Sequence, residues 1–129
     1  MAVEASPVCR LAICDDVATF RQLLTLLFGL ESDFEIVGEA ANGREAIDVV
    51  ESTRADVLLL DLAMPVMDGM EALPHIRQAS PDTKVVMLTG FGSAAMQEQA
   101  AQLGAVAYLE KGLAPAELIR AVRDVHGLV

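Results

Sequence analysis

Five side chains stand at the end of, or just after, short apolar runs: the Asp15-Asp16 pair, Asp61, Thr89 and Lys111. Three carboxylates, a hydroxyl and an ammonium have a specific use if a fold brings them together. Two like charges roughly 4 Å apart repel by about 4 kcal/mol at an effective dielectric near 20. A cluster of three therefore calls for a hard divalent cation. An all-oxygen set with few protein ligands suits Mg²⁺, which keeps waters and accepts phosphate oxygens. The matching chemistry is phosphoryl transfer. One carboxylate acts as nucleophile and becomes an acyl phosphate, while the cation, a lysine and a hydroxyl neutralise the transferring group.

Taken singly, these residues have blander uses. A strand-end aspartate is usually a loop or capping residue, and Asp before an amphipathic run is a common N-cap. A lone lysine is usually a surface residue, and Thr before Gly a turn residue. Asp61 is the candidate nucleophile because it ends the run Val57-Leu-Leu-Leu60 and is followed by Met64-Pro65, which turns the chain, and by Asp68-Gly69. Lys111 gains weight as one of only two lysines.

The elements that must position these residues alternate. Apolar segments lie at 11–14, 34–37, 57–60, 85–88 and 105–109. Three are apolar throughout, as expected of strands covered on both faces. Glu35 interrupts 34–37, which predicts an edge strand. Helical spacing covers 17–30, 42–52, 68–78, 93–103 and 115–125, with Phe20, Leu23, Leu24, Leu27 and Phe28 on one face of the first. Asn42 and Asp68 each stand three residues before a Glu, which is capping-box spacing. Gly104 is placed to end the fourth helix and Pro115 to start the fifth. Pro74 is expected to remove one backbone bond and distort its helix.

A strand–helix unit repeated five times predicts an α/β layer fold, with a mainly parallel sheet, helices on both faces and right-handed crossovers. Ligands bind such sheets at the carboxyl ends of strands, near the point where strand order reverses. The five chemical residues occupy those ends.

Composition narrows the classes further. Nine basic against 19 acidic residues give a formal charge of −10. That disfavours direct contact with nucleic acid or with an anionic membrane surface. A 53% hydrophobic content excludes a disordered chain. No apolar run approaches the roughly 20 residues that span a bilayer, and the amino terminus lacks the pattern of a signal peptide. Cys9 and Cys14 lie at odd spacing, so within one strand they point to opposite faces and are expected as free thiols of a cytosolic protein. Met64, Met67 and Met70 are expected to pack around the loop after Asp61, and His75 and His126 to sit on helix surfaces.

Asp15-Asp16, Val57-Leu-Leu-Leu-Asp61-Leu-Ala-Met-Pro65-Val-Met-Asp-Gly69, Val85-Val-Met-Leu-Thr89-Gly90 and Tyr108-Leu-Glu-Lys111 together resemble the receiver domain of bacterial two-component response regulators. The resemblance covers residues 9–127, after an amino-terminal tail at 1–8. The stretches from Val37 to Gly43 and from Lys111 to Leu118 resemble the nitrate-regulator (NarL/FixJ-type) subfamily. The resemblance implies a CheY-like, flavodoxin-like (βα)5 fold with a five-stranded parallel sheet of order 2-1-3-4-5. It implies that Asp61 is the phospho-acceptor. Asp16 and Asp61 would hold Mg²⁺ with the backbone carbonyl of Ala63, and Asp15 would act mainly through a water. Thr89 would bond to a phosphoryl oxygen, Lys111 would pair with it, and Tyr108 would be a switch aromatic that turns inward as Thr89 moves.

The implied phosphodonor is a histidine kinase, and the implied assembly a homodimer formed on phosphorylation. The domain is expected in the cytoplasm, itself neither an enzyme nor a binder of nucleic acid or membrane. Output is expected from a helix-turn-helix DNA-binding domain beyond Val129, or from protein–protein contact if the receiver stands alone. Two features depart from the family pattern. Gly112 replaces the proline often found after the lysine. Ala63 and Phe91, two residues past Asp61 and Thr89, are both apolar and unable to orient a water, which predicts slow loss of phosphate.

Competing readings fit less well. A haloacid-dehalogenase-type phosphatase wants a second Asp two residues past its nucleophile, where Ala63 stands. A flavodoxin-like cofactor binder wants a hydroxyl- or glycine-rich loop after the first strand, where Asp15-Asp16 would repel phosphate.

Overall fold

The computed structural model describes residues 8–90 and 92–127. The expected tail, apart from Val8, and Phe91 lie outside the described residues. The elements run β1 (Cys9–Cys14), α1 (Ala18–Gly29), β2 (Phe34–Ala40), α2 (Gly43–Thr53), β3 (Val57–Asp61), α3 (Gly69–Ala79), β4 (Lys84–Thr89), α4 (Ala94–Gln102), β5 (Ala107–Glu110) and α5 (Pro115–His126). All neighbouring strands pair in parallel, in the order β2-β1-β3-β4-β5. The predicted fold class and strand order are those observed.

Period-two alternation distributes the strand side chains between two cores. Leu58, Leu60, Val85 and Met87 face α2, α3 and α4, where Val50, Ile76 and Ala100 meet them. Val57, Leu59, Val86 and Leu88 face α1 and α5, where Phe28 and Val122 meet them. Because both faces of β1, β3 and β4 are covered, the middle residues of these strands are apolar, and alternate residues are buried against different layers. Cys9 and Cys14 follow the same rule. They are buried in opposite layers, and burial pushes both thiols up, Cys9 to about 12.

Local sequence chemistry starts and stops the helices. The Asn42 Oδ1 accepts the Glu45 N–H at 2.9 Å, and the Asp68 Oδ1 accepts the Glu71 N–H at 2.8 Å. Ser93 Oγ accepts the Met96 N–H at 3.1 Å. At the end of α4, Gly104 adopts a φ of +107°. The Gly104 and Ala105 N–H groups then bond back to Ala101 and Ala100 at 3.1 and 3.0 Å, which is a Schellman closure.

Two boundaries differ from expectation, for identifiable reasons. Ala105 is consumed by that closure, so β5 begins at Ala107 rather than 105. The edge strand β2 continues past Val37 to Ala40, with an irregularity opposite Leu11 and Ala12, because an edge strand tolerates polar residues such as Glu39 on its open side. The helix α3 continues through Pro74, as its expected span does, and the exposed position of Pro74 at the sixth helical residue leaves the buried face of Ala72, Leu73 and Ile76 intact.

Candidate functional site

The strand order reverses between β1 and β3, and the carboxyl ends of these two strands carry the acidic residues. Asp15 follows β1 directly and is 1% exposed, while Asp16 beside it is exposed. Asp61 is the last residue of β3 and is 4% exposed. Carboxylate oxygens of Asp15, Asp16 and Asp61 all lie within 4.8 Å of one another.

Two of the acids, Asp15 and Asp61, are fixed by backbone around them. Asp15 Oδ1 accepts the Val17 N–H at 2.8 Å, so this residue shapes the turn into α1 while Val17 caps the helix without a side-chain bond. The Asp15 carbonyl accepts Arg21 Nη1 at 2.6 Å. Asp61 is fixed from behind by Gly69. The Gly69 N–H bonds to the Leu62 carbonyl at 2.8 Å, and a Cβ at Gly69 would collide with the Asp61 carbonyl. Between them the chain turns at Val66, which has a φ of +69° and lies within a γ-turn closed by the Met67 N–H on the Pro65 carbonyl at 2.7 Å. The loop is then pinned to α2, where the Gly43 N–H bonds to the Met67 carbonyl at 2.8 Å.

Lys111 reaches the acids from the far side of β4. Its N–H bonds to the Thr89 carbonyl at 2.7 Å, which sets Lys111 and Thr89 side by side. Its Nζ lies 2.7 Å from Asp15 Oδ2 and 3.3 Å from Asp61 Oδ1. The ammonium therefore bridges two of the three carboxylates. Burial pushes the Asp61 carboxyl up to about 6, the Asp15 charge adds to this, and Lys111 opposes it. Burial pulls the Lys111 ammonium down, but its bonds and charge contacts with Asp15 and Asp61 outweigh that and the net direction is up.

The all-oxygen donor set, crowded within 4.8 Å at a strand-order reversal, fits a hard divalent cation. Beside it a cleft of about 260 Å³ opens between the loop after Asp61 and α4, with Ala63, Met70, Thr89 and Met96 among its walls. Thr89 is buried at the end of β4, and Ala63 is exposed at the cleft. Tyr108 packs from β5 against the α2, α3 and α4 layer with its ring on Gly92. Its hydroxyl is buried without a hydrogen-bond partner among the described residues. Asp15, Asp16, Asp61, Thr89 and Lys111 are thus brought to one edge as expected.

Two participants were not anticipated. Phe20 lies with its ring 4.8 Å from Lys111 Nζ, and in sequence it reads only as one of five apolar residues on α1. Gly92 leaves the space that the Tyr108 ring fills. The glycine pair at 90 and 92 after a strand was the available signal for the second; nothing in the sequence signals the first.

The family profile described as response regulator receiver domain matches residues 11–123. YhcZ of Bacillus subtilis, described as an uncharacterized transcriptional regulatory protein, is 42% identical over 118 residues, which is 92% of this chain and 55% of that protein. Chemotaxis protein CheY of Thermotoga maritima is 31% identical over 116 residues, 90% of this chain and 96% of that protein. Among solved structures, the signal receiver domain of the response regulator NarL from Mycobacterium tuberculosis is similar with a TM-score of 0.88 at 31% identity, covering 95% of this chain and 99% of that one. The chain spans about half the length of curated relatives such as YhcZ and YxjL of Bacillus subtilis.

Proposed function

The chain belongs to the response regulator receiver domain family, and on that premise we propose that Asp61 accepts a phosphoryl group from the phosphohistidine of a histidine kinase. An Asp61 carboxylate oxygen attacks phosphorus, the P–N bond breaks, and the imidazole leaves with the bonding pair and takes up a proton. The product is an acyl phosphate on Asp61. One observation carries this reading: a lysine ammonium bridges two members of a three-carboxylate cluster where the strand order reverses.

Each neighbour has a role that follows from its chemistry. Asp16, Asp61 and the Ala63 backbone carbonyl would hold Mg²⁺, with Asp15 behind a water. The bound cation supplies positive charge for the transferring group. Asp15 has one oxygen on the Val17 N–H and the other on Lys111, which suits an outer position better than a direct one. Lys111 anchors the acids and offers its charge to the incoming phosphoryl oxygens. Thr89, on the wall of the cleft, donates its hydroxyl to a phosphoryl oxygen and so carries the event towards Tyr108. Ala63 has no group to orient an attacking water, so the acyl phosphate is long-lived. A lifetime of only seconds would count against that last point.

The domain comprises residues 9–127, and the acidic surface leaves nucleic acid to a partner or to a further domain. By analogy with relatives described as transcriptional regulators, the phosphorylated form pairs with a second copy and controls transcription through an output domain. Residues 8–90 and 92–127 contain no helix long and apolar enough to cross a membrane, which accords with a cytoplasmic signalling protein. A stand-alone receiver acting through protein contact is the alternative.

Incubation with Mg²⁺ and acetyl phosphate, followed by intact mass measurement, tests the proposal. A gain of one phosphoryl group, absent from Asp61→Asn, is the expected result. No gain, together with no response to beryllium fluoride, would overturn it.

A further inference from the structure

Phe20 sits where the phosphoryl-transfer reading has no use for it. It is a half-buried residue of α1, packed against the layer formed with α5, and its ring lies 4.8 Å from the Lys111 ammonium. The same nitrogen is 2.7 Å from Asp15 and 3.3 Å from Asp61. The ammonium is thus enclosed by two carboxylates and an aromatic ring, and the Lys111 side chain keeps 22% exposure.

The choice of an aromatic ring has a physical logic. An ammonium on a flexible four-carbon stem has three donors and is strongly hydrated, so by itself it swings into water. A carboxylate placed to restrain it would add a fourth negative charge to a crowded acidic site. A neutral hydrogen-bond acceptor would occupy a donor that phosphoryl oxygens need. A ring face attracts the cation through its quadrupole, adds no net charge and takes no hydrogen bond in the ordinary sense, and it excludes water from one side. Resting on the proposed function above, we infer that Phe20 is a positioning residue for Lys111. Its ring holds the ammonium over the acidic cluster and leaves its donors to oxygen ligands.

Two substitutions separate this role from simple packing. Phe20→Leu keeps an apolar side chain and removes the ring; Phe20→Tyr keeps the ring face. The chain has two lysines, so the Lys111 side-chain resonances are readily assigned by NMR. In the wild type the Lys111 methylene protons nearest Nζ are expected upfield, shifted by the ring current. That shift is lost in Phe20→Leu and kept in Phe20→Tyr. Phosphorylation by acetyl phosphate with Mg²⁺, measured at a temperature where thermal melts show all three proteins folded, slows about fivefold in Phe20→Leu. It stays near wild type in Phe20→Tyr.

A packing role would lower the melting temperature of Phe20→Leu while leaving its phosphorylation rate unchanged, and that result overturns the inference. So does a Lys111 shift that does not move in Phe20→Leu, or a rate that falls equally in Phe20→Tyr. A wild-type protein that gains no phosphoryl group fails the underlying reading and the inference with it. The control is distinct, because in every other outcome the wild type is phosphorylated.

Discussion

The β1–β3 end of the site and the α4–β5 side are built to different tolerances. Every residue of β3 is buried, Asp15 and Asp61 are 1% and 4% exposed, and Gly69 and Gly43 press the loop after Asp61 against neighbouring backbone. Across the sheet, no residue of β5 is buried, and α4 buries Ala100 alone. Residues 92–99 are exposed throughout, and the enclosed Tyr108 hydroxyl is without a partner among the described residues. A reacting centre benefits from fixed geometry, since misplacement of about 1 Å can cost roughly a hundredfold in rate. An element that must report the reaction has to lie within a few kcal/mol of an alternative arrangement. Few buried apolar groups keep the second region in that range.

The largest test of this contrast is Gly69→Ala. The added methyl group meets backbone at Asp61 and Leu62 rather than a yielding side chain. A loss of about 3 kcal/mol or more in urea unfolding is expected, and a loss under 1 kcal/mol would show that the loop after Asp61 is not rigid.

Asp61→Asn acts in the opposite direction. A carboxyl that titrates higher in the fold than in the unfolded chain favours the fold only while protonated. Its contribution is whole below pH 3.8 and lost as the pH rises through about 6. Ionised Asp61 therefore works against the fold at neutral pH, and removing its charge is expected to add about 1–2 kcal/mol there without Mg²⁺, with the gain fading towards pH 4. Mg²⁺ at 100 times its dissociation constant should stabilise the wild type by about 2.7 kcal/mol and the variant by much less. Unfolding at pH 7 and pH 4, with and without the metal, checks both statements.

Gly92→Ala probes the tolerant side. The new Cβ would collide with the far end of the Tyr108 ring, which can rotate away. A change of about 1 kcal/mol or less is expected, with the single tyrosine becoming open to acrylamide quenching. A large loss of stability with a protected tyrosine would erase the contrast between the two regions. Met96→Ser, at a 38% exposed position on α4, should stay within about 0.5 kcal/mol of wild type by thermal melting.

Much of the fold and the core of the site was legible because it rests on local rules. Apolar runs set β1, β3 and β4, and Asn42, Asp68 and Gly104 mark helix ends by side-chain bonding or by a positive φ that needs no neighbour. Asp15, Asp61, Thr89 and Lys111 were legible through position, since a parallel sheet delivers all of its strand ends to one edge. Other features depended on partners distant in sequence. Phe20 and Lys111 meet because α1 and the β5–α5 loop flank the same edge. Tyr108 meets Gly92 because β5 lies behind the β4–α4 loop. The γ-turn at Val66 falls on a β-branched residue that local propensity would not choose, one residue past the Met64-Pro65 turn signal.

The sequence by itself therefore determined the alternation of elements, the two-faced burial of the central strands and the set of chemical groups at their ends. Periodicity, caps and strand-end position are properties of short windows. Tertiary structure decided which groups touch: that Lys111 bridges Asp15 and Asp61, that Phe20 closes over it, and that the acidic end is tightly packed while α4 and β5 are not. Contact, burial and local dielectric depend on what the rest of the chain places within a few ångströms, and no short window of sequence contains that information.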